Sequence, residues 1–322
     1  MSQELKNKHI LVTGGAGFIG SHIVDRLLSI GAEVTVLDNL VSGTKDNLAD
    51  CSGKIRFIQK DLRDDKALDE ALEGIELVSH QAALRSVPKS VGRPLEYHDV
   101  NVTGTLKLFL KAREKNIKRI VYASSSSVYG ERKDFPEQET DLVLPISPYA
   151  ATKLFGEHYG RVFTEHYGVE VVSLRYFNVF GPRQSLEDEY SVVVPKFINC
   201  LLSGQNPPIY GDGEQERDFT YIDNVVEANI KALMKRDIGG EIFNIANGSP
   251  NSVNQLLKTL QELMNKDKRP VYLKPRPGDV RKTHADISKA KDLLGWIPEI
   301  GFEEGLRRTG DWFSRQKSEN RG

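Results

Sequence analysis

Between an apolar run and the helix that follows it, this chain places three glycines at intervals of three residues. Ile10 to Thr13 reads as a short buried strand. Gly14, Gly17 and Gly20 then fall within Thr13-Gly-Gly-Ala-Gly-Phe-Ile-Gly20, ahead of a helical pattern from Ser21 to Ile30. In such a strand–turn–helix unit the first glycine permits a tight turn and the second lets backbone approach a pyrophosphate. The third lets helix and strand pack closely. The helix start, at Phe18 and Ile19, offers N–H groups and partial positive charge to an anion. This is the first half of a crossover unit, so it predicts parallel strands with right-handed helical connections.

The later apolar runs continue the pattern. Glu33 to Leu37, Ile55 to Gln59, Leu77 to His80, Ile120 to Ser124 and Val169 to Phe177 read as strands, alternating with helical stretches such as Lys66 to Glu73 and Val102 to Lys115. The expected fold is α/β, a Rossmann-type doubly wound parallel sheet with helices on both faces. After Phe177 the texture changes: Gly181 to Tyr190, Pro207-Pro208, Gly211-Asp-Gly213 and Pro275 to Gly278 are turn-rich. Residues 1–180 are therefore expected to form a dinucleotide-binding domain, and residues 181–220 and 248–322 a smaller α/β substrate lobe. A helix from Asp223 to Lys235 and a strand from Glu241 to Ala246 should return to the sheet, in a segment at about 221–247.

Charge and cysteine usage narrow the partners. Forty-four Lys and Arg balance 45 Asp and Glu for a formal charge of −1, leaving no basic excess for nucleic acid or an anionic membrane. No run approaches the roughly 18 apolar residues of a membrane span. The opening Met-Ser-Gln-Glu-Leu-Lys-Asn-Lys has no apolar leader, and Cys51 and Cys200 fit no metal or redox spacing. Together these predict a cytoplasmic protein with reduced thiols and no metal.

Three further features carry chemistry. Asp38 ends the second strand about 20 residues after the glycines, where a carboxylate accepts hydrogen bonds from a ribose and repels a 2′-phosphate, favouring NAD over NADP. Lys60-Asp61-Leu62 ends the third strand and puts a second acid at the adenine edge. Tyr149 and Lys153 stand one helical turn apart in Ser-Pro-Tyr-Ala-Ala-Thr-Lys, with Ser147 as cap and Pro148 at the first helical position. An ammonium group beside a phenol favours the phenolate and should lower its pKa toward the range of a base. Upstream, Ser124, Ser125, Ser126 and Ser127 follow the strand run Arg119-Ile-Val-Tyr-Ala, at the edge where doubly wound sheets hold ligands.

In these residues taken together, the sequence resembles the extended short-chain dehydrogenase/reductase family, and within it the nucleotide-sugar 4-epimerases. The resemblance spans nearly the whole chain. It rests on the glycine motif, Asp38-Asn39, Asp61-Leu62, His80-Gln81-Ala82-Ala83, Asn101, Ser124-Ser-Ser-Ser-Val-Tyr-Gly130, Tyr149 with Lys153, and Arg175-Tyr176-Phe-Asn178. Gly211-Asp-Gly-Glu-Gln-Glu-Arg-Asp218 and Gly278-Asp-Val-Arg281 complete it. The related 4,6-dehydratases carry an Asp-Glu pair where this chain has Ser126 and Ser127, which leaves reversible oxidation at C4 as the simplest chemistry. The resemblance implies that Tyr149 takes the C4 hydroxyl proton, directly or through Ser125, as the C4 hydride passes to bound NAD. The 4-keto sugar then turns and regains hydride on its other face, with Lys153 held to the nicotinamide ribose.

The resemblance also implies a UDP-sugar anchored by Arg217 and Arg281 at the diphosphate and by Asn178 at a phosphate or sugar. Backbone around Val194 and Tyr210-Gly211 would meet uracil. Thr283, small where some relatives have Tyr, would border the C2 substituent and admit an N-acetyl group. The alternatives are a UDP-glucuronate 4-epimerase, with Arg183 as the basic residue facing a C6 carboxylate, or another nucleotide-sugar enzyme of the same family such as a dehydratase. A homodimer is expected through helices 102–115 and 149–166, with Leu106, Phe109, Leu110, Leu154 and Phe155 at the contact.

Overall fold

The computed structural model describes residues 2–185, 193–275 and 280–319. Seven strands build one parallel sheet: β1 (His9–Thr13), β2 (Glu33–Leu37), β3 (Ile55–Ile58), β4 (Leu77–His80), β5 (Arg119–Ser125), β6 (Glu170–Tyr176) and β7 (Ile242–Ile245). Their order is β3-β2-β1-β4-β5-β6-β7. The winding direction reverses between β1 and β4, and the carboxyl ends of those strands open a crevice of the kind that holds ligands in such sheets.

Alternation along each strand divides the core into two layers. Ile10 and Val12 face a cluster with Val24, Val36, Leu174 and Phe243, whereas Leu11 faces one with Leu37, Val78, Phe109, Ile120 and Phe163. The first cluster continues without a break into Phe180, Phe197, Leu256, Leu306 and Phe313. The segments after residue 180 thus share a core with the sheet rather than forming a separate one.

The helices in chain order are α1 (Phe18–Ile30), α2 (Asp65–Ala71), α3 (Val87–Gly92), α4 (Pro94–His98), α5 (Gly104–Glu114) and α6 (Pro148–Tyr167). The chain continues through α7 (Val193–Leu202), α8 (Ile222–Met234), α9 (Val253–Met264) and α10 (Phe302–Glu319). Helix α1 begins three residues before the expected Ser21, because Gly17 already serves as its cap. Ser147 caps α6 by accepting from the Ala150 N–H at 3.2 Å, and Pro148 occupies its first turn. A π-type turn at Asp99–Thr103 precedes α5, so that helix starts later than the expected Val102.

Of the side chains expected at a dimer contact, Phe109 is fully buried in the core and Leu106 and Leu154 are half-buried. Leu110 and Phe155 remain exposed, at 42% and 38%, beside exposed Val162 and Tyr167 on α6.

Candidate active site

The glycine turn is shaped by close approach. Gly14 has φ of +67°, and a side-chain carbon there would lie 2.7 Å from the Ala82 nitrogen. One on Gly20 would lie 2.2 Å from the Gly14 carbonyl oxygen. Gly17 gives α1 no side-chain cap, so the first N–H groups of the helix, from Phe18 to Gly20, face the turn without one. Asp38, buried at the end of β2, accepts from the Ala16 N–H at 2.9 Å and the Leu40 N–H at 2.8 Å. Burial pushes its carboxyl up, and those two bonds oppose the rise. The turn has the close walls and free helix-start donors that a pyrophosphate needs, with a buried acid beside it at the end of β2, so these residues fit NAD.

Asn39 donates to Asp61 at 2.8 Å, and Arg63 clamps the same carboxylate through Nε at 2.8 Å. The Arg63 bond holds the Asp61 carboxyl well below the usual range. Leu62 is turned into the core instead. The half-buried Ala82 and Ala83 follow β4, and the Ala82 N–H reaches the Thr13 hydroxyl at 3.3 Å. Gln81 and Tyr176 meet across the sheet ends: Tyr176 Oη lies 3.3 Å from Gln81 Oε1 and 2.8 Å from the Asn229 Nδ2 that donates to it. Asn101 is hydrogen-bonded within the protein. Its amide bonds the Leu84 N–H at 2.8 Å, the Leu84 carbonyl at 2.9 Å and Thr152 at 3.1 Å, so it pins the loop after β4 to α6.

At the end of β5 the expected trio comes together. Tyr149, Lys153 and Ser125 are all buried. Lys153 donates to the Ala123 carbonyl at 2.8 Å and stands 6.0 Å from the Tyr149 ring centre. The lowered tyrosine pKa expected from that lysine is not found. Burial pushes the Tyr149 phenol up, while the hydrogen bond with Ser125 and the charge of Arg85 act against it. Burial likewise lowers Lys153 to about 7, with Glu157 acting in the opposite direction. In this dry pocket desolvation outweighs the pairing that spacing alone suggested. Ser125 also accepts from the Ser127 N–H at 3.2 Å, and its hydroxyl lies 3.0 Å from that of Ser127, so Ser125 and Ser127 share one small polar group beside Ser126. Ser124 turns away and donates to Glu157.

The remaining candidates lie on the segments that follow β6. Asn178, held at φ of +34°, donates to the Thr283 hydroxyl at 2.9 Å, and that hydroxyl also accepts from the Asp218 N–H at 3.2 Å. Thr283 is therefore a hydrogen-bonded junction. Arg217 is buried and donates to the Glu216 carbonyl at 2.8 Å. Arg281 is 65% exposed and paired with Asp212 at 2.8 Å, on a segment whose carbonyl accepts from the Glu216 N–H at 3.0 Å. Gly278 and Asp279, also expected here, lie outside the described residues. Val194 is buried in the first turn of α7, and Lys196 covers the Tyr210 ring at 5.5 Å. Arg183 lies 2.7 Å from Asp25 of α1 in an ion pair.

Sequence reasoning missed Glu157, Asn229 and Asp218. The Asp218 carboxylate is buried and accepts from the N–H groups of Asn247, Gly248 and Ala285, drawing three segments together. Glu157 alone had a local signal, since it follows Lys153 by one more helical turn.

Residues 10–246 match the NAD dependent epimerase/dehydratase family. The chain is 42% identical over 315 residues to a putative UDP-glucose 4-epimerase of Methanocaldococcus jannaschii, covering 97% of this chain and 99% of that one. It superposes with a TM-score of 0.93 on a UDP-N-acetylglucosamine 4-epimerase from Methanobrevibacter ruminantium in complex with UDP-N-acetylmuramic acid. That pair is 44% identical, with 97% and 99% of the chains covered. A Thermus thermophilus UDP-glucose 4-epimerase in complex with NAD gives a TM-score of 0.88 at 38% identity, covering 95% and 98%. The chain belongs to the NAD-dependent epimerase/dehydratase family and is an enzyme that works with NAD.

Proposed function

We propose that the enzyme inverts C4 of a UDP-hexose through a 4-keto intermediate, acting on UDP-GlcNAc and UDP-GalNAc as well as on UDP-Glc and UDP-Gal. One observation carries this reading. The groups facing Tyr149 at the end of β5 are hydroxyls, and no carboxylate stands at positions 126 and 127, where a dehydratase places its second acid and base. Bound NAD supplies reversible acceptance of a hydride. Tyr149 takes the C4 hydroxyl proton and later returns it, Ser125 holds that hydroxyl and the phenol in line, and Lys153 favours the phenolate. Arg217, Arg281 and Asn178 hold the diphosphate side, because guanidinium donors match phosphate oxygens in pairs.

Thr283 leaves room at the sugar's C2 substituent, which supports acceptance of N-acetyl sugars. A glucuronate substrate is less well supported, since Arg183 is committed to Asp25. The exposed Leu110, Phe155, Val162 and Tyr167 support a homodimer through α5 and α6. Sedimentation at twice the chain mass is expected, reverting to monomer in a Leu110→Lys, Phe155→Lys variant.

The test is incubation with UDP-Glc, UDP-GlcNAc and UDP-GlcA without added NAD, read for inversion at C4. Inversion of the first two is expected. Turnover of UDP-GlcA alone, or loss of water from any of them, would overturn the assignment. Thr283→Tyr should then lose UDP-GlcNAc turnover while sparing UDP-Glc.

A further inference from the structure

Three consecutive residues at the end of β5 each hold one residue of α6, and the three partners stand one helical turn apart. The Ala123 carbonyl accepts from Lys153, the Ser124 hydroxyl donates to Glu157, and the Ser125 hydroxyl is close enough to the Tyr149 phenol to oppose the rise in its pKa. Two of these contacts belong to the proposed chemistry. The third does not: the Glu157 side chain is 1% exposed and its carboxylate is taken up by Ser124 and Arg175. Arg175, the register partner of Ser124 on β6, meets it with two parallel bonds, Nε to Oε1 at 2.9 Å and Nη2 to Oε2 at 2.8 Å. The Tyr129 ring covers the guanidinium at 4.7 Å, and Arg175 Nη1 is buried without a hydrogen-bond partner.

Such a pair is a poor device for stability alone. Desolvating two charges cancels most of their attraction, and an apolar pair of the same volume often stabilises a core as well or better. Its place suggests another use. The Glu157 carboxylate is the anion one turn from Lys153, in a pocket where charge is weakly screened.

We propose that Glu157 is a positioning residue for catalysis: bound to Arg175 and Ser124, it fixes the register of β5 against α6 and sets the charge that Lys153 carries. This rests on Tyr149 and Lys153 being the catalytic pair. The other groups facing Lys153 do not replace Glu157. Tyr122 of β5 presents its ring at 5.2 Å. His80 of β4 is kept neutral, lowered to about 3 by burial and then by the lysine's own charge. Arg85 and Tyr97, from the loop after β4 and from α4, act on Tyr149. Without Glu157, burial has no opposing charge and Lys153 loses its proton at lower pH.

The test compares pH profiles of turnover. Glu157→Gln should lose activity on the alkaline side about one pH unit earlier than the wild type, and the Glu157→Gln, Arg175→Met variant, which leaves no unpaired buried charge, should shift the same way by less. Glu157→Asp, which keeps the charge, should hold the wild-type limb. The ε-carbon resonance of Lys153 in protein made with isotope-labelled lysine, assigned with Lys153→Ala, should titrate with the same shift. That resonance is read without turnover, so a wild type that inverts no sugar would defeat the catalytic reading and leave this measurement standing. An unchanged limb and an unchanged lysine titration in the double variant would overturn the proposal. So would loss of folding in both charge-removing variants, which would assign the pair to stability alone.

Discussion

Tyr149 is buried among groups that leave its phenol neutral at ordinary pH, with the Ser125 hydrogen bond and the Arg85 charge drawing it the other way. Turnover is therefore expected to fall as pH drops, because the base form becomes scarcer. Tyr149→Phe should fold and retain NAD while losing at least about two decades of turnover, the size of a removed acid–base group. Wild-type turnover in that variant would take the tyrosine out of the mechanism. The trio was legible in the sequence because a four-residue spacing and a strand end are local patterns. The rise in the phenol's pKa was not, since burial depends on what the rest of the chain lays over the site.

Among the elements, α6 and β5 do the assembling, and a third element keeps them aligned. The π-type turn at Asp99–Thr103 presents Asn101, whose amide ties the loop after β4 to Thr152 of α6. The sequence suggested this asparagine as a cofactor contact, and its amide also bonds Leu84 and Thr152. Asn101→Ala should leave the Leu84 backbone groups without partners and cost about 1–3 kcal/mol. Melting temperature, bound NAD and turnover should fall together, and an unchanged turnover would show that the loop needs no anchor. The strands and α1 were readable because each has its own period and its own glycines. The short α3 and α4 were not, being too brief for periodicity to show. Asn229 and Asp218 were hidden for another reason: their partners lie dozens of residues away in sequence.

At the scale of the whole molecule, Glu137 joins the loop after β5 to the segment carrying Thr283. Its N–H donates to the His284 carbonyl at 2.7 Å, and its carboxyl accepts from the His284 N–H at 3.1 Å. Burial raises this carboxyl from 4.5 to about 7. The folded state therefore holds a proton that the unfolded chain has lost across that interval. Stability from this group is fully present below pH 4.5 and is lost as pH rises through about 7. Glu137→Gln, which mimics the protonated acid, should flatten the melting temperature over that window. A variant with the wild-type slope would place the titration elsewhere.

The central claim is that C4 alone is oxidised and reduced, with the hydride returned to the carbon it left. The most direct measurement supplies UDP-Glc deuterated at C4 to the purified enzyme, without added NAD, and follows the product by NMR. UDP-Gal carrying the deuterium at C4, with none released to water, is the predicted result. Loss of the label to solvent, or inversion that begins only when NAD is added and ends with one turnover per cofactor, would contradict the account.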